Sequence, residues 1–222
     1  MPEHDTILNI NKPKGLTSFD VVRRIRKITG VKKVGHAGTL DPFATGVLLI
    51  LVGRGATKQS NAFMELRKQY SAVIRFGLRT DSHDITGEVE FDHDVEIETE
   101  SVEHLLPKYT GTIEQVPPMF SAKKVNGKKL YKLARQGKTI EREPNSVTIY
   151  DIQCAQINSR DYIFEISCSK GTYIRSLARD FGEDLDTGAC VIELKRTAVG
   201  EFTIEDAISL KEVESEWNSI IA

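Results

Sequence analysis

The sequence predicts an α+β fold with a large, mixed but mostly antiparallel sheet flanked by helices and loops. Three observations carry that prediction. Apolar and polar residues alternate over several strand-length segments, and amphipathic stretches of helical period lie scattered between them. The two kinds do not follow one another in the regular strand–helix–strand order that builds a parallel sheet.

Thr6 to Ile10 alternates as a short strand, and Lys12-Pro13-Lys14-Gly15 breaks it. Thr17-Ser18-Phe19-Asp20 has the capping-box pattern, in which the threonine hydroxyl and the aspartate carboxylate each satisfy one of the other's backbone amides. The helix it opens places Val21, Ile25 and Ile28 on one face and Arg23, Arg24, Arg26 and Lys27 around the rest, with Gly30 as its stop. Gly35 to Gly46 reads as a loop. Val47 to Val52 is a continuous apolar run of strand length, the pattern of a strand buried on both faces. Ala56 to Leu66 is helical, and Gln69 to Phe76 alternates with Tyr70, Ala72, Ile74 and Phe76 on one face. The acidic stretch from Asp81 predicts a loop and an exposed edge strand, then a helix from Ser101 to Tyr109, with His83, His93 and His104 at the surface. Leu130 to Arg135 forms a short basic helix. Val147 to Ile157 and Tyr162 to Cys168 pair around Asn158-Ser159-Arg160. Thr172 opens a helix reaching Leu185, Cys190 to Leu194 is a strand, and a short helix near Ala207 precedes the end.

The 222 residues, 40% hydrophobic and 28% charged, suffice to bury a sizeable core. The longest uncharged apolar run, Val47 to Val52, is far too short to span a bilayer, and no basic-then-apolar leader opens the chain, so no membrane partner is expected. Cys154, Cys168 and Cys190 lack CxxC or Cys/His metal spacing, which predicts free thiols in a reducing, cytoplasmic compartment and no metal. A net charge of −2 argues at first against a nucleic-acid partner. The charge is segregated, however: residues 1–80 carry 14 Lys and Arg against 5 Asp and Glu, 81–108 carry 1 against 10, and 109–150 carry 8 against 3. A polyanion feels the local field, because surface charges are screened beyond roughly 8–10 Å. Mutual neutralisation of the segments across the fold is the competing reading.

The most informative segment is Gly35-His36-Ala37-Gly38-Thr39-Leu40-Asp41-Pro42-Phe43-Ala44-Thr45-Gly46. Its glycines allow tight turns and close approach of another molecule. Pro42 fixes its own φ and pushes Asp41 into extended backbone, so a carboxylate stands on a stiffened corner just before a buried strand. Such corners carry catalytic groups, although Asp-Pro is also plain turn chemistry.

Gly35 to Leu48 resembles the GHTGxLDPxATGxL motif of the TruB family of pseudouridine synthases, departing from it at Ala37, where threonine is usual. Six further segments resemble family motifs in the same order. They are Lys12 to Ser18 (KPKGLTS), Lys68-Gln69-Tyr70 with Phe76 to Asp81 (FGLRTD), Gln115 to Lys123 (QVPPMFSAK), Gly127 to Gly137, Cys168 to Arg175 (CSKGTYIR), and Leu194 to Thr197 (LKRT). Together they cover nearly the whole chain.

The resemblance implies a pseudouridine synthase fold and a cofactor-free isomerase that converts uridine to pseudouridine in the T-arm loop of tRNA, at position 55. Asp41 would be the nucleophile or base, acting at C1′, at the 2′ proton or at C6. Arg175 would be its ion-pair partner, keeping it ionised and aimed. Tyr70 would stack on the flipped uracil, with core packing as its alternative. Tyr173 and Leu194 would line the same pocket, although periodicity alone places Leu194 in the core. His36 would fill the gap left in the RNA stack, with a solvated loop histidine as the alternative. Lys14, Lys123, Lys124, Lys128, Lys129, Lys132 and Arg135 fit phosphate contacts, or a solvated lysine face in the case of the latter six. Many family members continue into a small carboxy-terminal RNA-binding domain of the PUA type. Here a single catalytic domain over residues 1–222, without that domain, and a monomer are expected. A guide-RNA-dependent synthase and a non-catalytic RNA-binding or tRNA-folding module are the alternatives.

Overall fold

The computed structural model describes residues 5–121, 124–125, 127–134 and 136–220. The fold is α+β with a large mixed sheet and flanking helices, as the sequence predicts. The chain divides into two compact units, one built from residues up to Tyr70 together with those from Leu194 onward, the other from Ser71 to Glu193.

The first unit opens with β1 (Thr6–Lys12), α1 (Ser18–Thr29), β2 (Val34–Ala37), β3 (Thr45–Val52), α2 (Arg54–Lys58) and α3 (Ser60–Glu65). The capping box at Thr17 forms as expected: its hydroxyl accepts from the Asp20 amide while the Asp20 carboxylate accepts from the Thr17 amide, a device worth about 1 kcal/mol. Gly30 closes α1 in the left-handed region, with φ 69°. Two expectations change here. The first residues of the anticipated 35–46 loop belong to β2, which pairs antiparallel with β3 from Val34↔Val52 to Ala37↔Leu49. Its Gly-His-Ala composition hides it from an alternation count. The anticipated helix from Ala56 to Leu66 is two short helices that meet at Gln59.

Strand β3 is central to this unit. It pairs antiparallel with β1 from Thr6↔Val52 to Lys12↔Gly46, and both of its faces are covered. Val47, Leu49 and Leu51 cluster with Ala37, Ala56 and Val199 on one side, while Leu48 and Ile50 are fully buried on the other. That two-sided burial is why its sequence is continuously apolar instead of alternating.

In the second unit, β4 (Lys68–Phe76, which begins in the first unit) leads to β5 (Leu78–Thr80), β6 (Val89–Asp92), α4 (Thr99–Leu105) and a 3₁₀ turn at Leu106–Tyr109. There follow β7 (Gly111–Gln115), β8 (Lys124–Val125), β9 (Lys128–Lys129), α5 (Leu130–Ala134), β10 (Asn145–Gln156), β11 (Asp161–Cys168) and α6 (Ile174–Asp184). The order β4-β11-β10-β7 carries an aromatic core: Phe76 meets Tyr162 edge-on at 5.6 Å, and Phe164 stacks on Phe181 at 5.2 Å. The predicted face of β4 is correct, because Ala72, Ile74 and Phe76 are buried and the residues between them are not. Helix α6 starts two residues later than expected, at Ile174, because the Thr172 hydroxyl turns back to the Ser169 carbonyl and does not cap it.

The chain returns to the first unit along β12 (Ala189–Val199), which runs well past the expected Cys190–Leu194, and adds β13 (Phe202–Thr203) and α7 (Leu210–Ile220). The short helix expected near Ala207 is therefore displaced. A second capping box, Ser209 with Glu212, sets the start of α7. Among the described residues no helix is long and apolar enough to cross a membrane. Cys168 and Cys190 are buried and Cys154 is half-buried, none of them in a disulfide.

Candidate active site

Asp41 stands, half-exposed, on a corner whose backbone is tied on every side. Just before it, the Ser18 hydroxyl accepts from the Leu40 amide at 2.9 Å and donates to the Leu40 carbonyl at 3.1 Å. Just after it, the Pro42 carbonyl accepts from the Gly15 amide at 2.7 Å, so the turn holding Lys14 meets the Asp-Pro corner. The corner closes on itself through the Ala44 amide and the Asp41 carbonyl at 3.2 Å. Leu40, Phe43 and Ala44 are buried and anchor it.

Two buried cations hold the same segment, and neither stands out in the sequence as a site residue. Lys12 is fully buried, and its ammonium donates to the carbonyls of Leu16 at 2.7 Å, Pro13 at 2.9 Å and Pro42 at 3.4 Å. Burial pulls its pKa down to about 8; the Asp41 carboxylate opposes that shift and Arg196 adds to it. Arg196, 1% exposed, donates from Nε to Val47 O at 2.7 Å and from its terminal nitrogens to Gly38 O at 3.1 Å and Thr39 O at 3.5 Å. Its forked guanidinium thus binds the loop before Asp41 to the strand after it. Burial, then Arg196, lowers the His36 pKa, with the Gly38 backbone opposing, so His36 on β2 is held toward its neutral form. Its Nδ1 is buried without a hydrogen-bond partner.

Tyr70 and Leu194 belong to the first unit as well, both largely buried, on β4 and β12. The structure therefore gathers Asp41, His36, Lys14, Tyr70 and Leu194 in one unit and places Arg175 and Tyr173 in the other. Arg175, 3% exposed, donates to Phe120 O at 2.8 Å and Ser82 O at 3.0 Å and pairs with Asp84 at 3.2 Å. Tyr173 is the N-cap of α6. The buried Gln115 amide grips its backbone, accepting from the Tyr173 amide at 2.7 Å and donating to its carbonyl at 3.1 Å.

The surface reading of the acidic stretch is corrected at two residues. Asp84 is buried against Arg175, and His83 sits at φ 59° with its pKa lowered to about 4 by burial and the nearby arginines. Lys123 and Arg135, expected at phosphates, lie outside the described residues. Lys124 and Lys128–Lys129 are placed only as backbone in the β8–β9 hairpin, and Lys132 in α5. Among the described residues no group of three or more His, Cys, Asp or Glu could hold a metal ion.

Comparison with known proteins identifies the family. Residues 26–174 match the family described as TruB family pseudouridylate synthase (N terminal domain), and residues 175–219 the tRNA pseudouridylate synthase B C-terminal domain. The chain is 48% identical over 212 residues to the tRNA pseudouridine synthase B of Clostridium kluyveri, covering 96% of this chain and 73% of that protein. It is 48% identical over 218 residues to that of Protochlamydia amoebophila, covering 98% and 83%. Among solved structures it resembles a chain of a Cbf5-Nop10-Gar1 complex (TM-score 0.75, 29% identity, 97% of this chain) and one of an H/ACA RNP bound to a substrate RNA containing 2′-deoxyuridine (TM-score 0.72, 26% identity, 98%). It spans only 55% and 56% of the length of those two chains. With a family match over two thirds of its length and relatives 48% identical over nearly all of it, the chain belongs to the TruB family of pseudouridylate synthases.

Proposed function

We propose that the protein isomerises uridine to pseudouridine in tRNA, at position 55 of the T-arm loop, with Asp41 as the catalytic carboxylate. The observation that carries this reading is the Asp41 corner, whose backbone is fixed through Leu40, Pro42 and Ala44 at the point from which the carboxylate projects. The reaction asks for little more. The C1′–N1 bond breaks, the uracil turns over, a C1′–C5 bond forms, C5 gives up its proton and N1 takes one; no electrons are exchanged. Asp41 serves by attack at C1′, by taking the 2′ proton, or by attack at C6.

Arg175 is the proposed partner of Asp41. Its bonds to Asp84, Ser82 and Phe120 fix the guanidinium within its own unit. The target uridine must leave its stack, at a cost of a few kcal/mol. Stacking on Tyr70, worth about 1–3 kcal/mol per base, offsets part of that cost. His36, its pKa lowered chiefly by burial, enters the vacated space. Tyr173 and Leu194 complete the pocket and Lys14 meets a phosphate. In this scheme the protein is a cytoplasmic monomer acting without guide RNA or cofactor.

The test is release of tritium from C5-labelled uridine in an unmodified tRNA transcript incubated with the protein alone, followed by mapping of the product. Stoichiometric release at one T-loop position is expected. Bound tRNA without release would instead support a guide-dependent enzyme or an RNA-folding module.

A further inference from the structure

We infer that the outward face of helix α1 is an RNA-docking surface, on which Phe19 holds Arg23 and Arg26 in place for phosphates beside the Asp41 corner. The inference deepens the proposed function, from which it takes RNA as the ligand. Phe19 is 55% exposed in the first turn of α1, an unusual place for a large apolar side chain that packs into no core. The Arg23 and Arg26 guanidiniums lie over its ring, 6.0 and 5.8 Å from the centroid. Asp20, fixed by the capping box, also pairs with Arg23. Arg26 donates to Val34 O at 2.8 Å, and its Nε is buried without a partner. Arg24 and Lys27 are exposed, and among the described residues neither they nor Arg26 join an ion pair with a carboxylate.

Those facts fit an anion better than a solvated face. Exposed arginines ordinarily lose rotamer freedom on gripping a phosphate, a cost of about 0.5–1.5 kcal/mol per side chain. A ring that already orders two of them removes part of that cost. Four cations stand on this helix against one carboxylate, which is engaged in the cap. Helix α7 packs against α1 and is rich in glutamate, yet no ion pair of α1 with it exists among the described residues, so α7 does not neutralise these cations. Position selects the occupant. Ser18, the neighbour of Phe19, bonds both sides of Leu40, the residue before Asp41. A strand lying along α1 therefore runs up to the catalytic corner, as RNA flanking the target uridine would.

The experiment compares the full chain with two variants, Arg23→Gln/Arg24→Gln/Lys27→Gln and Phe19→Ser, on unmodified tRNA transcript across a KCl series. Melting temperatures serve as the check on folding. The triple variant should bind about tenfold more weakly near physiological salt, with a salt slope shallower by roughly 2. Phe19→Ser should lose about threefold. In turnover the losses fall on KM more than on kcat. Unaltered Kd and slope in both variants, with wild-type turnover intact, would overturn the docking surface alone. Loss of binding to an acidic protein, with tRNA affinity kept, would overturn it in favour of a protein partner. Failure of the wild type itself to turn over tRNA would strike the proposed function instead.

Discussion

Arg196 and His83 show how single residues carry the account. The Arg196 guanidinium serves three carbonyls at once, at Gly38, Thr39 and Val47. Lysine, a point donor on a flexible stem, cannot serve all three. Arg196→Lys should therefore cost roughly 2 kcal/mol in chemical denaturation and slow turnover, since carbonyls left buried and unpaired are expensive and the loop before Asp41 loosens. Wild-type stability in that variant would mean that the fork is not what holds the loop. His83 gives a pH prediction whose sign is fixed by its lowered pKa. Folded, it titrates at about 4, against an ordinary value of 6.5, because burial and the arginines around it disfavour the charged form. Between those values the unfolded chain binds a proton that the folded one refuses. The stability it contributes is complete above pH 6.5 and is lost as pH falls toward 4. His83→Asn, a residue that tolerates the φ of 59° seen there, should flatten this limb in denaturation series between pH 4 and 7.

At the scale of elements, the parallel register of β3 with β12 depends on Gly46. Gly46 has φ 102°, and a Cβ on it would run into the Arg196 backbone opposite. Gly46→Ala should destabilise the protein by at least about 2 kcal/mol, from the strained φ and the separation it forces between the strands. A melting curve that overlays the wild type would contradict that register. Elements with a local signature were legible in the sequence. The capping box and Gly30 bounded α1, the apolar run gave β3, and alternation gave the buried face of β4. What was missed lacked such a signature or was settled by distant partners. Strand β2 is short and glycine-containing, and only its pairing with β3 makes it a strand. The continuation of β12 carries Lys195 and Arg196, charges that interrupt an apolar run. For α7 the signal was present: Ser209 and Glu212 stand at capping-box spacing.

At the scale of the whole molecule, the α+β class followed from the mixture of periods, and the sheet bears it out. Of the candidate site, only the Asp41-Pro42 corner among glycines stood out from residue chemistry, while Arg175, Tyr70, Tyr173, Leu194 and His36 were named through resemblance to family motifs. Its support was not legible. Lys12 and Arg196 are cations inside a core, and Asp84 lies in an acidic stretch of which most is solvated, so neither periodicity nor composition separates them from surface charge. The same averaging masks the basic stretch that suits the proposed RNA partner behind a net charge of −2, although 14 Lys and Arg lie in the first 80 residues. The proposed isomerisation rests on one carboxylate, that of Asp41. It is tested most directly by tritium release from C5-labelled uridine in unmodified tRNA, with wild type and Asp41→Asn side by side and tRNA affinity measured for both. Release by the wild type, none by Asp41→Asn, and affinities within about tenfold, or roughly 1.4 kcal/mol, are expected. Sustained multiple turnover by the asparagine variant would contradict it.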